Sequence, residues 1–424
     1  MAFRLRLSKQ NALGSYLAPR TAMHRPLTWN VSLSHVGIWL AAAWLFGCAS
    51  LAQAAETRLD IVRLGTPSPL YEAARQGCDA NDIPDAPLRA FRGEAGQIVA
   101  FGLHYDNRRL AGPSFERLKA ECPIVYPSPG KPDPRLYDDK AWIAATYSPD
   151  GRQVHALVHH EFQAHRHPGR CSAREYMACW WNSILAIRSG DAGRNFERPR
   201  DAVMAATPEP SETGQGRHRG FFNPSNILPH RGHFYAFIAT TGWEGQRSGA
   251  CLFRTDNPAD PARWRAWDGS DFSARFADPY TSGRDRRPRC EPITPFPAPV
   301  GSVTRHEASG LFLAVFQAAA GMPDGLGGRF AKSGLYITSS RDLLRWAPAR
   351  LVVEAKSLYD NPCGAKVLLN YPAILDPASK DRNFALTGDT ALLTYTEITV
   401  EGCEIRHQRR LLAERIRISS FRAE

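Results

Sequence analysis

The chain has 424 residues, 43% of them hydrophobic and 22% charged, with a formal net charge of +11. Five of those charges, Arg4, Arg6, Lys9, Arg20 and Arg25, stand in the first 30 residues, so the remainder carries only a mild basic bias. No long Lys/Arg block and no nucleic-acid-binding motif occurs, which excludes a nucleic-acid partner and leaves a solvated basic surface.

The chain opens on an address. The basic stretch leads into an apolar run, Val36–Phe46, too short for a membrane span. Ala52-Gln53-Ala54 follows as a small-x-small cleavage pattern, so residues 1–54 are expected to be a secretory signal peptide. Translation could also start at Met23. A lipid anchor at Cys48, within Leu45-Phe46-Gly47-Cys48, is the alternative, and so is an uncleaved anchor. The expected product is periplasmic or extracellular, a monomer, with no stable membrane span.

Eight cysteines lie beyond Cys48. An even count in an exported chain favours disulfides. Spacing suggests neighbours in order: Cys78–Cys122, Cys171–Cys179, Cys251–Cys290 and Cys363–Cys403. No pair has the CxxC spacing of a zinc site, and no cofactor is implied.

Residues 55–84 read as irregular. The first strand-like unit begins near Asp85, with Gln97–Leu103 as a strand and Glu94-Ala95-Gly96 as a turn. Residues 112–136 are Pro-rich and loop-like, with one or two helical turns over Phe115–Glu121. Tyr137–Phe162 then forms the plainest hairpin. Strands at Ala141–Ser148 and Gln153–His159 flank a Pro149-Asp150-Gly151 turn, a strong hairpin signal. It sets Asp138 and Asp139 on one strand and Glu161 on the next. Cys179–Ser189 reads as a strand, and residues 201–218 as loop.

Ser225–Leu228 and His233–Thr241 are expected as strands about Arg231-Gly232, followed by Gly249–Arg254 and a loop over 268–288. Val303–His306 and Leu311–Gln317 pair across Glu307–Gly310. Gly334–Thr338, Leu351–Glu354, Ala391–Thr399 and Leu411–Ile418 complete the set. Apolar runs are short and bounded by Gly, Pro, Asp and Asn, so the chain is all-β. Roughly 370 residues without a long linker suit one large closed β domain over 55–424.

Strand groups open near Arg89, Trp142, Asn223, Glu291 and Tyr371. Three corners share a hydroxyl, an acid and an aromatic: Ser189…Asp191…Phe196, Thr255-Asp256…Trp264 and Ser340…Asp342…Trp346. Asp accepts backbone N–H groups in a tight turn, and the aromatic packs between sheets. About five sheets with repeated corners point to a five-bladed β-propeller. The alternatives are six blades or a β-sandwich assembly.

SGDAGRNF is similar to the sialidase Asp box, with Phe196 for Trp. RTDNPADPARW and TSSRDLLRW resemble the blade corners of five-bladed glycoside hydrolases of the arabinanase, xylosidase and invertase type. The resemblance covers about residues 85–420. It implies a carbohydrate partner, an oligo- or polysaccharide, and acids at the propeller mouth, because glycosidic cleavage uses two carboxyls. Asp139, Glu161, Glu291 and Asp85 are the candidate catalytic acids. Arg89, Arg92, Asp138, Trp142, His159, Asn223, Asn226, Tyr371 and Asp376 are the candidate substrate-binding residues. The third opener has Asn223 and Asn226 where the resemblance implies an acid, which supports the alternative of a non-catalytic propeller that binds glycan or protein.

Two further readings are weaker. A sialidase would clamp a carboxylate with three arginines, for which Arg89, Arg92, Arg108, Arg109 and Arg289 are available. A metal site over His159, His160, His165 and His167 lacks the HExxH spacing, and adjacent strand residues face opposite ways. No metal is expected. Gly325–Gly328 is a lone Gly-rich turn.

Overall fold

The computed structural model describes residues 57–422, apart from 174–176, 208–217, 244 and 283–287. The expected signal peptide therefore lies outside the described residues. The chain is all-β, built as four antiparallel-rich sheets. Among the described residues no helix is long and apolar enough to cross a membrane.

The first sheet follows chain order, with Pro84–Arg92, Ile98–Leu103, Arg108–Gly112 and Lys119–Ile124. The Pro-rich stretch thus contributes a strand, and its helical turn is confined to Phe115–Arg117. The hairpin forms as expected. Lys140–Tyr147 pairs with Val154–Gln163, which pairs with Trp180–Ser189.

The expected second and third units are joined in one ten-stranded sheet. Arg219–Phe222 runs parallel to Trp180–Ser189 on one side and antiparallel to His233–Thr240 on the other. The junction demands a glycine. Gly220 sits at φ 115°, and a Cβ there would lie 1.9 Å from the Asn182 carbonyl oxygen. Gly249–Thr255 continues the sheet outward.

A third group contains Val300–His306, Phe312–Ala318, Gly334–Ser340 and Arg350–Glu354, each paired with the next. The last sheet gathers both ends of the described chain. Val367–Leu375 pairs with Thr390–Glu401, and that strand pairs with the long Glu404–Arg422. Thr57–Arg63 and Ser68–Glu72 both add to the outer side of Glu404–Arg422. Of the stretch 55–84 expected to be irregular, Thr57–Arg63 and Ser68–Glu72 are strands: pairing with the far end of the sequence outweighs their weak local signal.

Apolar clusters are shared between successive strand groups. Phe101 packs with Ile143 and Val158; Leu157 and Ile184 with Phe221 and Phe253. Phe237 packs with Phe312 and Phe316, and Leu313 and Leu335 with Leu393 and Ile416. Leu411 and Leu392 close against Leu88 and Ala100 of the first sheet.

The corners show why their residues recur. Asp191 accepts the N–H groups of Arg194 and Asn195, while Ser189 Oγ accepts those of Asp191 and Gly193. Asp342 and Ser340 repeat that scheme with Arg345 and Leu343, and Trp346 is buried behind. The middle corner differs. Asp256 pairs with Arg263, and Thr255 Oγ1 takes the Asn257 N–H instead.

All four suggested disulfides are present. Such bonds persist in oxidising compartments. Cys251–Cys290 is buried in an apolar cluster and closes a loop of 39 positions. Replacing both cysteines with alanine is expected to cost about 2–5 kcal/mol, read as a lower denaturant midpoint. An unchanged midpoint would show that the surrounding cluster holds the loop unaided.

Candidate functional site

Residues from all four sheets line one small cavity. Leu88, Thr146, Asn226, Ser302 and Ile374 are among them. Outside that cavity stand two carboxyl groups in opposite environments, Glu161 buried and Asp85 partly buried.

Asp85 lies at the start of Pro84–Arg92. Tyr371 OH donates to Oδ1 at 3.1 Å, and Trp142 Nε1 donates to Oδ2 at 3.1 Å. Arg409, from the long last strand, forms an ion pair with it. His104 Nε2 stands 3.5 Å from Oδ2. Burial alone would raise the Asp85 pKa, but the Arg409 charge, His104 and the Tyr371 hydrogen bond hold it below the usual carboxylate value.

Glu161 lies on the second hairpin strand, opposite Lys140 and Asn182. Gln163 Nε2 donates to Oε2 at 2.7 Å, and His159 Nε2 is 3.5 Å from Oε1. Among the described residues no cation neutralises it in the way Arg409 neutralises Asp85. Burial pushes its pKa up to about 8, against a lowering by Gln163, with further raising from the charges of Asp85 and Asp139.

Strand alternation explains which hairpin residues meet. Lys140 pairs with Glu161 and Trp142 with His159, so these four share one face. Trp142 stacks on His159 with centroids 5.7 Å apart, linking the Glu161 side to the Asp85 side. Asn182 Nδ2 lies 3.2 Å from His159 Nε2, and Asn223 also bonds that ring. Burial lowers His159 to about 3 and His104 to about 4, so both rings are neutral at ordinary pH.

Asn223 and Tyr371 both adopt left-handed backbone, at φ 46° and 57°. Such strain is sustained only where surrounding contacts over-determine it. Here Gln317 Oε1 accepts the Tyr371 N–H at 2.8 Å, and the hydroxyl is tied to Asp85. A depression lined by Pro87, Asn223, Pro299, Gln317, Tyr359 and Tyr371 opens beside them.

The structure thus brings together Asp85, Glu161, Trp142, His159, Asn223 and Tyr371. Asp139 is on the other hairpin face, where it accepts Gln163 N at 2.8 Å and His167 Nε2 at 2.9 Å. Asp138 pairs with Arg198 at 2.6 Å. Glu291 lies on an exposed edge, paired with Arg247. Arg92 reaches the carbonyls of Pro377 and Ser379, and Asp376 accepts the N–H groups of Ala378 and Gly388. Arg89 and Asn226 line the small cavity instead. His104, Lys140, Gln163, Asn182 and Arg409 join the site without having been singled out. Arg409 is 324 positions from Asp85, and no spacing rule connects them.

Gln163 N and His167 Nε2 both bond Oδ2 of Asp139, so Asp139→Asn keeps an acceptor for both but removes the buried negative charge that strengthens those bonds. It is expected to cost roughly 1–3 kcal/mol of stability, read by denaturant unfolding, with the pH dependence of activity unmoved. A shifted pH profile would place Asp139 in the chemistry instead.

No family model matches the chain, and no curated protein matches it. Among solved structures, it is similar to a protein of unknown function from Dyadobacter fermentans, with 12% identity, a TM-score of 0.45, and 85% of this chain and 99% of that one covered. It is also similar to the catalytic domain of a GH62 α-L-arabinofuranosidase from Coprinopsis cinerea, with 10% identity, a TM-score of 0.43, and coverage of 82% and 95%. An α-L-arabinofuranosidase from Podospora anserina matches at 9% identity and a TM-score of 0.44, covering 83% and 95%.

Proposed function

We propose that this chain is an exported glycoside hydrolase built on a five-bladed β-propeller, cleaving an oligo- or polysaccharide. The observation that carries the reading is the opposite tuning of Asp85 and Glu161. One carboxyl is held ionised by Arg409, while the other is held protonated by burial. Two carboxyls driven apart in this way supply an acid and a base in one site. Glu161 protonates the leaving glycosidic oxygen through Oε1, because Oε2 is occupied by Gln163. Asp85, oriented by Tyr371 and Trp142, activates water or attacks the anomeric carbon. Trp142 offers an aromatic edge to the sugar. Shared apolar clusters and residues from all four sheets around one cavity support the propeller.

Asn223 favours a second reading. A side-chain amide stands beside His159 where the resemblance implies an acid. With no further carboxyl there, the mouth would bind a glycan without cleaving it.

The test is a panel of chromogenic glycosides and polysaccharides, offered to residues 55–424 and to its Glu161→Gln and Asp85→Asn forms. Hydrolysis by the parent alone, with all three folded, supports the enzyme. A parent that is inert yet retained on a polysaccharide column supports the binding protein. Glu291→Gln serves as a control and is expected to retain full activity, because Glu291 faces solvent beside Arg247.

A further inference from the structure

The small cavity is a second polar site, and neither Asp85 nor Glu161 lines it. Arg89 is 2% exposed and reaches from Pro84–Arg92 to the neighbouring sheet. Its Nε donates to the Ala144 carbonyl at 2.7 Å and its Nη2 to the Pro224 carbonyl at 2.9 Å. Its Nη1 has no partner among the described residues, and neither has the Thr146 hydroxyl, buried at 4% exposure. Both residues line the same small cavity, with Asn226, Ser302 and Asn383.

The other polar groups there are already used. Asn226 holds both the N–H and the carbonyl of Val303. Ser302 Oγ accepts the Ile374 N–H, and Asn383 bonds both backbone groups of Ser148. No carboxylate lines the cavity. Arg89 therefore carries its full charge among neutral partners. A buried charge without a counter-charge is costly. Guanidinium does not relieve that cost by losing its proton, because it stays charged in proteins.

We propose that this cavity binds one small monovalent anion, chloride, between Arg89 Nη1 and the Thr146 hydroxyl. The cavity has room for about one water-sized particle, which suits a monatomic ion and excludes phosphate or a sugar carboxylate. Both orphan groups are donors, as an anion requires. The ion ties the first group, through Arg89, to the second, through Thr146. It acts on stability and not on the sugar chemistry, so the site stands whether or not the chain is a hydrolase.

The experiment uses residues 55–424 exchanged into gluconate and then titrated with bromide at constant ionic strength. The melting temperature is expected to rise along a saturating curve. Crystals grown in bromide are expected to show an anomalous peak within hydrogen-bond distance of Arg89 Nη1. Arg89→Met should remove the bromide response. If that variant does not fold, Thr146→Val keeps the charge and loses one donor, and its titration midpoint should rise roughly two- to tenfold. A melting temperature that follows ionic strength whatever the anion, with no anomalous peak and only water density in the cavity, overturns the proposal. So does a Thr146→Val titration identical to that of the parent.

Discussion

Glu161→Gln is expected to lower turnover of glycosides with poor leaving groups by about 10²–10⁴-fold, the usual worth of a positioned general acid. Aryl glycosides with acidic leaving groups need no such proton and should lose far less. Asp85→Asn removes the ionised partner and should abolish turnover of both kinds. If the proposed roles hold, the parent's pH profile follows from the same two groups. Activity needs Glu161 protonated, so the alkaline limb falls as pH rises through about 8. It also needs Asp85 ionised, so the acid limb lies below the ordinary aspartate value. Residual activity of Glu161→Gln should lack the alkaline limb. If that limb persists, Glu161 is not the donor.

The same group makes a stability statement. The folded pKa of Glu161, about 8, lies above its unfolded value of 4.5. Between those values the folded chain binds the extra proton, so its stability falls as pH rises, by at most about 1.4 kcal/mol per pH unit. Below 4.5 both states are protonated and nothing is lost. Glutamine carries no such penalty. The variant should therefore match its parent near pH 4 and exceed it near pH 8, in thermal melts.

A chain that starts at Ala73 is expected not to fold. The removed residues include Leu59, Ile61, Leu70 and Tyr71, all buried. Burying each such side chain contributes about 1.5–3 kcal/mol, so together they approach the whole stability of a typical domain, about 5–15 kcal/mol. The truncation also uncovers the outer edge of Glu404–Arg422, which pairs with Thr57–Arg63 over 416–422 and with Ser68–Glu72 over 410–413. An unpaired edge of that length invites aggregation. Residues 55–424 should show a cooperative denaturant transition and residues 73–424 none. A normal transition in the shorter chain would mean that the last sheet is complete without its first two strands.

Much of this architecture is visible in the residues themselves. Short apolar runs between Gly, Pro, Asp and Asn announce strands, and the structure has them at Lys140–Tyr147, Val154–Gln163, His233–Thr240 and Thr390–Glu401. The hairpin about Gly151 needs only its own turn, where Gly151 takes φ 92°. Neighbouring cysteines pair because each pair joins segments of the same or an adjacent strand group. Contacts of this kind are local, so local patterns report them.

The site is legible only in part, for a definite reason. Asp139 and Glu161 look like a pair on one hairpin, yet the register sets Lys140, not Asp139, opposite Glu161. Side chains alternate along a strand, so a shift of one residue turns a carboxyl to the other face. Residues 57–72 look irregular because Pro67 and Pro69 interrupt them. An edge strand tolerates proline where it needs no ladder donor, and the partner that makes Ser68–Glu72 an edge strand is more than 300 positions away. By itself the sequence determined the all-β class, the hairpins, the disulfide neighbours and the residue types available for acid chemistry. Only the tertiary structure decided how the two carboxyls are tuned, because Arg409 and Tyr371 lower the pKa of Asp85 and burial raises that of Glu161. Burial and charge pairing belong to the packed molecule, and no spacing along the chain encodes either.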